Sequence, residues 1–398
     1  MLKIMAVNAG SSSLKFKLFQ MPGEEVITEG IVERIGAEDA YYTIVVNGDK
    51  IKKVLPVKNH SVAVRLLLDD LVEREIVRDL SEINGVGHRI VQGGSYFPDS
   101  VLIDEDVIAK IDELAAIAPL HNHAHLIGIK AFIEALPEVP NVAVFDTSFH
   151  QTMNEETYMY AIPFEWYEKY KIRKYGAHGT SHKYVAMKAA EIVGRPIEEL
   201  KIVTCHLGNG ASIAAVKGGK CVDTSMGLTP LEGIPMGTRS GNIDPAIVGF
   251  ISEAENLTAS EIVEILNKKS GYLGVSGVSN DSRDLEACMA ENKRCKLALD
   301  IQTKRIADYI GSYYVLLEGI DIIVFTAGIG ENSSRCRRDV LKRLKVLGVE
   351  IDEEANTRQR EIVEITTKNS KIRAFVIPTN EELMIARDTV RIAGLCAK

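Results

Sequence analysis

The chain has 398 residues, of which 46% are hydrophobic and 26% charged, and its formal net charge is −8. The length favours two domains over one, the composition is that of a globular protein, and the negative charge argues against nucleic acid as the main partner. No apolar run approaches the roughly 18 residues of a membrane span, and the amino terminus lacks a signal-peptide pattern. The six cysteines include no C-x-x-C pair, so neither a zinc ribbon nor a redox motif is indicated, and we expect a reduced, cytoplasmic protein.

The first predicted element is a hairpin at the amino terminus. Residues 4–7 form an apolar run, 8–13 a small polar turn, and 14–19 alternate apolar and cationic side chains as a half-buried strand does. A turn with so few side chains lets backbone N–H groups approach an anion closely. The segment therefore predicts two strands around a candidate phosphate loop.

Arg89 lies inside the next strongly apolar region. Residues 24–57 contain short runs typical of strands, residues 59–80 have helical spacing, and residues 83–94 predict a strand rich in glycine. Arg89 is either a surface arginine on an edge strand or an anion ligand at a strand end, and the sequence leaves both interpretations open.

Residues 104–136 are predicted to be largely helical and contain the densest histidine group, His121, His123 and His125. Imidazoles are common zinc ligands, but positions i and i+2 do not share a helix face, and no H-E-x-x-H motif occurs. Helix-start and core-packing roles are therefore favoured over a metal site.

Two later segments place polar side chains where α/β proteins bind ligands. Residues 141–146 predict a buried strand ending at Asp146, and such an acid lies at a ligand site or caps the next helix. Glycines flank His178 in a turn before a predicted helix over 183–193, which favours a histidine exposed to a ligand. His182 is equally consistent with a packed residue of the first helical turn.

The stretch 202–216 is the central feature of the sequence, two apolar strands joined by a glycine turn. Asn209-Gly210 indicates a two-residue hairpin turn with positive φ, and the bare turn suits a phosphate group, although an ordinary hairpin has the same pattern. A third apolar strand, 322–326, runs into a Gly/Asn/Ser turn at 327–333. The similarity of these segments to the amino-terminal hairpin indicates an internal duplication with a ligand between the halves.

A long glycine- and proline-rich loop covers residues 223–245, and such loops within compact domains are usually functional. Its one cation, Arg239, lies between small residues that expose it. After this loop, helices are predicted over residues 245–269, 296–318 and 335–347, and another helix begins near residue 284 after a polar turn. A strand over 374–377 and a last helix complete the predicted elements.

These segments together indicate phosphoryl transfer. Three phosphate-type loops imply a nucleotide, Arg89, Arg239 and His178 supply positive charge or donors, and Asp146 and Glu381 are oxygen ligands of the kind that Mg²⁺ prefers. Neither a P-loop nor a G-x-G-x-x-G motif occurs. The competing classes are a zinc hydrolase built on the histidines and a non-enzymatic nucleotide-binding chaperone.

Eight segments in order along the whole chain carry a resemblance to one family. They are 8–15 (NAGSSSLK), 87–94 (GHRIVQGG), 145–150 (FDTSFH), 176–182 (GAHGTSH), 206–210 (HLGNG), 236–241 (MGTRSG), 325–332 (FTAGIGEN) and 378–382 (PTNEE). With these motifs the chain resembles the acetate kinase family. The resemblance implies reversible phosphoryl transfer from ATP to the carboxylate of acetate, giving ADP and acetyl phosphate, with Mg²⁺ or Mn²⁺.

The same resemblance implies the architecture. The fold would be a duplicated α/β fold of the actin, hexokinase and Hsp70 (ribonuclease H-like) type, with a cleft between two domains. Residues 1–150 with 383–398 would form the acyl-kinase domain, and residues 151–382 the nucleotide-binding domain. A cytoplasmic homodimer is implied as well.

Site residues follow from the matching motifs. The metal would be positioned by Asn8 and Glu381, with Glu382 a near alternative for the second. Arg89 would bind the carboxylate, and Arg239 and His178 would stabilise the phosphoryl group in flight. Asp146 is the essential acid; because a carboxylate nucleophile is already ionised at pH 7, we favour a metal- or water-positioning role for it. The residues implied to hold ATP are Lys15, His206, Leu207, Gly208, Asn209, Gly210, Asp281, Ser282, Arg283, Gly328, Ile329, Gly330, Glu331 and Asn332.

The acyl pocket is where the chain departs from the family. Its implied lining is Val91, Leu120, Ala177 and Pro230, and the family usually has Phe where this chain has Ala177. Other departures are His123-Ala124, Gln92 and Ser95. The missing ring predicts a roomier pocket, so a propionate or other short-chain fatty acid kinase is the alternative to an acetate kinase.

Overall fold

The computed structural model describes residues 1–396, with side chains for all of these except Pro119 and Leu120. Contacts within the chain define two compact units. The first comprises Met1–Phe149 together with the residues from Asn380 onward, and the second comprises His150–Thr379. The domain boundaries expected from the sequence, near residues 150 and 382, stay a prediction.

The secondary structure is mixed α/β. The strands are β1 (Leu2–Ala9), β2 (Ser13–Met21), β3 (Glu25–Glu33), β4 (Tyr41–Val46), β5 (Asp49–Val54), β6 (Ile83–Ile90), β7 (Val101–Leu102), β8 (Asn141–Phe145), β9 (Lys201–Leu207), β10 (Ala211–Lys217), β11 (Lys220–Thr224), β12 (Ile322–Thr326), β13 (Val363–Glu364) and β14 (Arg373–Val376). The helices are α1 (His60–Glu73), α2 (Glu105–Glu113), α3 (Pro119–Ala135), α4 (Glu155–Tyr158), α5 (Phe164–Tyr170), α6 (Gly179–Val193), α7 (Ala246–Glu255), α8 (Ala259–Lys268), α9 (Gly271–Ser276), α10 (Ser282–Cys288), α11 (Lys293–Leu316), α12 (Ala327–Asn332), α13 (Ser334–Arg343) and α14 (Glu381–Ile392). Short 3₁₀ helices cover Leu80–Glu82, Leu114–Ala116, Ser148–Thr152, Ile197–Glu199, Lys345–Leu347 and Ala355–Thr357.

The sheet of the first unit has the strand order β5-β4-β3-β2-β1-β6-β8-β7. β1 to β5 form antiparallel hairpins, and β6 and β8 are parallel to β1. The predicted alternation in β2 is present, since Leu14, Phe16 and Leu18 are buried and Lys15 between them is exposed. One face of this sheet packs its apolar side chains with α1 and α3 in a shared core.

The sheet of the second unit has the order β11-β10-β9-β12-β14-β13. β9 pairs antiparallel with β10 and parallel with β12, and β12 pairs parallel with β14. Every residue of β12 is buried, which explains its continuous apolar sequence. Apolar side chains of α11 and α13 belong to the same core as those of β9, β10 and β12.

The two sheets repeat one topology. In the first, β3-β2-β1 are consecutive antiparallel strands followed by the parallel strands β6 and β8; in the second, β11-β10-β9 are followed by β12 and β14. The internal duplication predicted from the similar hairpins is confirmed at the level of topology.

A close helix contact in the first unit positions part of the site. A Cβ placed on Gly87 of β6 would lie 2.2 Å from Thr389 Oγ1 and 2.5 Å from a methyl carbon of Ile385. Only glycine at this position therefore lets α14 pack so closely on β6, and this packing fixes Glu381, the first residue of α14.

Local details differ from the sequence-based expectations in three places. The sequence predicted a two-residue turn at Asn209-Gly210 with positive φ. In the structure the pairing of β9 with β10 ends at Leu207 and Ala211, so the loop has three residues, Gly208–Gly210, and none of these described residues has positive φ. The predicted turn at 327–333 contains a short helix, α12, whose first N–H group, on Ala327, donates to the Glu331 carboxylate over 2.8 Å.

The third difference concerns the cysteines. Cys288 and Cys295 form a disulfide that joins the end of α10 to the start of α11, which differs from the reduced state expected from the absence of C-x-x-C pairs. The chain reverses direction between these helices and so brings the two residues together. Within residues 1–396, no helix has both the length and the apolar character to cross a bilayer.

Candidate active site

Arg89 and Asp146 form an ion pair at the ends of neighbouring parallel strands. Arg89 lies near the end of β6, and Asp146 directly follows β8. Arg89 Nη2 lies 2.7 Å from Asp146 Oδ2, and Arg89 Nε lies 3.1 Å from Asp146 Oδ1. Burial disfavours the charged guanidinium, but the carboxylates of Asp146 and Glu381 outweigh burial and raise the pKa of Arg89. Because β6 lies between β1 and β8, the edge-strand interpretation of Arg89 is wrong.

Two further carboxylates stand at the amino end of α14 and face different cations. Glu381 Oε2 lies 3.7 Å from Arg89 Nη1, whereas Glu382 Oε2 lies 3.9 Å from Lys17 Nζ. Burial raises the pKa of Glu381; the charge of Arg89 opposes this effect and that of Asp146 reinforces it. Asp146 and Glu381 thus share one arginine, which leaves a negative site suited to a further cation.

The oxygen donors near this site are those that Mg²⁺ uses. Asn8 lies directly opposite Lys15 in the β1–β2 pairing, and the charge of Lys15 acts on Glu381. In the described part of the chain, no group of three or more His, Cys, Asp or Glu residues is arranged to hold a metal ion. That finding is compatible with Mg²⁺, which is usually held by one or two carboxylates together with water and substrate phosphates.

The remaining predicted residues of the first unit are Val91 and Leu120, implied for the acyl pocket, and the histidines of α3. Val91 directly follows β6 and is half-buried, and the side chain of Leu120, in α3, lies outside the described residues. On the same helix, His125 is buried with Nδ1 2.8 Å from the Ala9 carbonyl oxygen, and burial lowers the pKa of His125 to about 4. His125 thus has the core-packing role that the sequence favoured, whereas the His123 side chain is exposed.

In the second unit, His178 and Arg239 converge over Gly210. His178 begins α6 with a left-handed backbone, φ 57°, which is unusual for a residue other than glycine. Its ring stacks on His206 with a centroid separation of 4.1 Å. A Cβ placed on Gly210 would lie 3.5 Å from Arg239 Nη1 and 3.7 Å from His178 Nε2. The Arg239 guanidinium and a ring nitrogen of His178 therefore face the same space, which the missing side chain of Gly210 keeps open.

Arg239 has no carboxylate partner within residues 1–396. Its Nη1 lies 3.4 Å from the Pro230 carbonyl oxygen and 3.7 Å from Met236 Sδ, and both are uncharged. Burial lowers the pKa of Arg239, although a guanidinium stays charged at neutral pH. A partly buried positive charge without a counter-ion is a site for an anionic ligand.

A cavity of about 780 Å³ lies in the second unit, beside this pair of donors. Its lining is Gly208, Asn209, Asn280, Asp281, Ser282, Arg283, Glu286, Gly328, Ile329, Asn332, Ser333, Gln359 and Arg360. Three loops predicted to hold ATP therefore meet at one cavity, and Gly208 and Asn209 connect it directly to Gly210.

Several residues implied to hold ATP lie outside this lining. Leu207 is buried in the core, the Gly330 carbonyl accepts a hydrogen bond from Arg337, and Glu331 accepts from the Ala327 and Thr379 N–H groups. His206 and Gly210 lie at the His178–Arg239 pair, and Lys15 belongs to the first unit.

Part of the cavity lining was not predicted from the sequence. Asn280, Glu286 and Ser333 are adjacent to predicted segments, so their proximity could have indicated them. Gln359 and Arg360 follow the 3₁₀ helix Ala355–Thr357 and carry no recognisable motif; they reach the cavity through contacts distant in sequence, such as that of Arg360 Nε with Asn332 Oδ1 at 3.0 Å.

Ala177 is buried in the core of the second unit, in the same cluster as Met226, Ile234 and Met236. Its carbonyl oxygen lies 2.9 Å from His150 Nε2. Residue 177 thus adjoins His178 but contributes only a methyl group to its surroundings.

Comparisons with known proteins agree with this geometry. A profile of the Acetokinase family matches residues 3–387. An acetate kinase of Geobacillus sp. (strain WCH70) is 58% identical over 396 residues, covering 99% of this chain and 100% of the relative. The crystal structure of Porphyromonas gingivalis acetate kinase is 43% identical with a TM-score of 0.94, covering 99% of this chain and 100% of its own. A propionate kinase from Francisella tularensis subsp. tularensis SCHU S4 is 44% identical with a TM-score of 0.92, covering 98% and 100%. The fold class expected from the sequence is confirmed, and the chain belongs to the acetokinase family.

Proposed function

We propose that the protein transfers the γ-phosphoryl group of ATP reversibly to the carboxylate of acetate, giving acetyl phosphate and ADP. The observation that carries the proposal is the pair of donors on Arg239 and His178 over Gly210, next to a cavity lined by Gly208 and Asn209. Phosphoryl transfer spreads negative charge over the equatorial oxygens of the moving group. Preorganised donors at that position stabilise the transition state more than the ground state.

Arg239 is suited to this task because it lacks a carboxylate partner among the described residues. An arginine already paired would have to exchange one anion for another and would gain little. The Arg239 guanidinium gains its full interaction only when the phosphoryl group arrives, and His178 supplies a second donor at the same space.

Arg89 and Asp146 have different roles in binding the acceptor, acetate: Arg89 contacts its carboxylate, and Asp146 positions Arg89. Asp146 occupies Nε and Nη2 of Arg89, which fixes the guanidinium. Nη1 faces Glu381 at 3.7 Å and would orient the acetate carboxylate once Glu381 holds the metal. One acetate oxygen then forms the new bond to phosphorus as the bond to the ADP oxygen breaks. Because acetate is ionised at neutral pH, Asp146 removes no proton and acts as a positioning residue.

Mg²⁺ is the metal that the donor set of the first unit fits. The Asn8 amide oxygen and the Glu381 carboxylate would hold it, with Mn²⁺ as a substitute of similar chemistry. The bound ion neutralises charge on the nucleotide phosphates. Glu381 is favoured over Glu382 because Glu381 shares Arg89 with Asp146, which brings a second carboxylate to the same place.

We also infer a homodimer in the cytoplasm. The fully described helix α7 contains no buried residue, and its Ile247 and Phe250 side chains are 42% and 73% exposed. An exposed apolar helix of this kind supports association with another subunit.

Propionate is the second candidate substrate, since Ala177 replaces the phenylalanine usual in the family. The similarity to a propionate kinase of Francisella tularensis supports this alternative without favouring it.

The test is hydroxylamine trapping of the acyl phosphate with ATP, Mg²⁺ and each acid in turn, for the wild type and for Arg239→Ala. We expect Arg239→Ala to lower kcat by about 10³-fold while the Kd for ADP changes less than about threefold. Arg338→Ala, at an exposed ion pair with Glu353, is the control for loss of a surface arginine. Near-normal kcat with lost ADP affinity would make Arg239 a nucleotide ligand instead.

A further inference from the structure

A chain of hydrogen bonds runs from the interior of the second unit to His178. Thr204 Oγ1 lies 2.7 Å from His182 Nδ1, and His182 Nε2 lies 2.8 Å from Ser212 Oγ. Ser212 Oγ lies in turn 2.8 Å from His178 Nδ1. Thr204, His182 and Ser212 are all fully buried, so the contacts among these three residues are made away from the surface.

The chain has only two self-consistent arrangements of protons. A hydroxyl group carries a single proton, so Ser212 can donate to only one of the two rings, and the other ring must donate to Ser212. If His182 is neutral, its two nitrogens also have opposite roles. The direction of donation at Thr204 therefore determines which nitrogen of a neutral His178 carries a proton.

His182 is neutral at physiological pH. Burial, together with the nearby rings of His150 and His206, lowers the pKa of His182 well below its usual value. Its two nitrogens are both occupied by hydroxyl groups, Nδ1 by Thr204 and Nε2 by Ser212. One of these hydroxyls must therefore donate to the ring and the other must accept from it.

The surroundings of His178 favour one of the two arrangements. Three groups near its ring bear on the choice: Ser212, the stacked ring of His206, and the positive guanidinium of Arg239, which faces the same space over Gly210. A second positive charge on His178 would be repelled by Arg239. A neutral His178 can donate from Nε2 only if Nδ1 accepts the Ser212 proton.

The contact distances at Thr204 agree with that direction. Thr204 Oγ1 has two possible acceptors for its proton, His182 Nδ1 at 2.7 Å and the Ala214 carbonyl oxygen at 3.5 Å. The second distance is at the limit for a hydrogen bond. Donation to His182 is therefore the stronger choice, and it places the His182 proton on Nε2, facing Ser212.

We propose that Thr204, His182 and Ser212 are positioning residues that hold His178 as a neutral ring with its proton on Nε2, from where it donates to the transferred phosphoryl group. The proposal rests on the catalytic role proposed above for His178. It implies that His178 works without becoming a cation, so that kcat does not fall as the pH rises through the range in which an ordinary imidazole loses its proton, near 6.5.

The direct test is ¹⁵N NMR of histidine-labelled protein at pH 7.5, with the His178 signals assigned from their loss in His178→Gln. The expected spectrum shows His178 neutral, with the proton on Nε2 and an unprotonated Nδ1. A proton on Nδ1 would overturn the proposal. If the tautomer is as expected but His178→Gln keeps normal kcat, the hydrogen-bond chain stands and the proposed catalytic role of His178 is what fails.

Two variants interrupt the chain. Thr204→Val removes the first donor, and Ser212→Ala, one step nearer His178, serves if Thr204→Val does not fold. Either is expected to raise the Nδ1-protonated population and to lower kcat at pH 8 by about fivefold relative to wild type, the effect of one hydrogen bond of ordinary net strength.

Matched substitutions separate this effect from a general loss of packing. Thr204→Ser keeps the hydroxyl and is expected to restore the wild-type tautomer and pH profile. Thr224→Val removes another fully buried hydroxyl of the same sheet, which donates only to the Ile213 carbonyl oxygen, and is expected to leave the profile unchanged. A Thr204→Val enzyme with the wild-type tautomer and pH profile would refute the positioning role.

Discussion

Arg337 connects two segments whose neighbouring residues line the cavity described above. Its fully buried guanidinium donates to the carbonyl oxygens of Gly330 and Glu331 at 2.9 and 3.0 Å, and to those of Asn356 and Arg358 at 2.6 and 3.0 Å. A fifth bond reaches Asn356 Oδ1 at 2.9 Å. All five acceptors are uncharged, and burial lowers the pKa of Arg337 to about 10.

Replacing Arg337 by methionine removes the donors and keeps most of the volume. Each buried acceptor left without a partner costs about 1–3 kcal/mol, while release of the guanidinium from its buried site returns several kcal/mol. We therefore expect Arg337→Met to lower the free energy of unfolding by about 3–5 kcal/mol. Arg338→Met, next in sequence, breaks an exposed ion pair with Glu353 and should cost less than about 1 kcal/mol.

The functional effect should fall on nucleotide binding. Gly328 and Asn332 line the cavity and flank Gly330 and Glu331, the first two residues whose carbonyl oxygens Arg337 binds. Gln359 and Arg360 also line the cavity and directly follow Arg358, which Arg337 binds as well. Loss of the connection should weaken ADP binding by about tenfold, the equivalent of one to two hydrogen bonds, with a smaller change in kcat. Urea unfolding and calorimetric titration with ADP measure the two effects. A stability change below 1 kcal/mol together with an unchanged ADP affinity would refute the reasoning.

Three further substitutions test other parts of the structure. The wild type should use propionate within about tenfold of acetate, as one methylene rarely discriminates more strongly, and Ala177→Phe should shift the kcat/KM ratio towards acetate; an unchanged ratio would exclude Ala177 from the pocket. Phe250→Asp should convert the proposed dimer to monomers in sedimentation experiments, whereas Val346→Asp, at a 90% exposed position in the 3₁₀ helix Lys345–Leu347, should not; an unaltered Phe250→Asp dimer would place the interface elsewhere. Burial opposes ionisation of Asp70, but hydrogen bonds from Arg74 and Lys53 outweigh it and lower the pKa of Asp70. Asp70→Asn should therefore destabilise by about 2 kcal/mol at pH 7, and denaturation curves should show this difference vanishing as the pH falls through the depressed pKa of the folded state; a pH-independent difference would contradict the assignment.

The strands and most helices could be predicted because their periodicity is a direct consequence of which face is buried. Leu14, Phe16 and Leu18 alternate with lysines, and β2 has that alternating burial. The turn around Asn209 was predicted to be tighter than it is, because turn geometry depends on where the pairing of β9 and β10 ends. Local sequence does not contain that information.

The candidate site was predictable where its residues lie in short glycine-rich motifs at strand ends. Gly208 and Gly328 line the cavity as those motifs suggested. Gln359 was not predictable, since the segment before it is held by Arg337, a contact between residues about twenty positions apart. Arg337 itself was expected on a basic helix, and only the three-dimensional structure distinguishes its full burial from the partial burial of Arg335 and Arg338.

Three arginines of this protein show how burial and hydrogen-bond partners give the same type of side chain different roles. Arg337 is satisfied by uncharged oxygens and holds two backbone segments in place. Arg89 is paired with Asp146, so it is rigid and can orient a carboxylate through its remaining nitrogen. Arg239 contacts only uncharged atoms of Pro230 and Met236, so its charge is uncompensated until an anion reaches the space over Gly210. In the mechanism proposed above, the free-energy cost of burying Arg239 would be recovered when that anion is bound, and most fully by the phosphoryl group in transit, whose equatorial oxygens carry the developing charge.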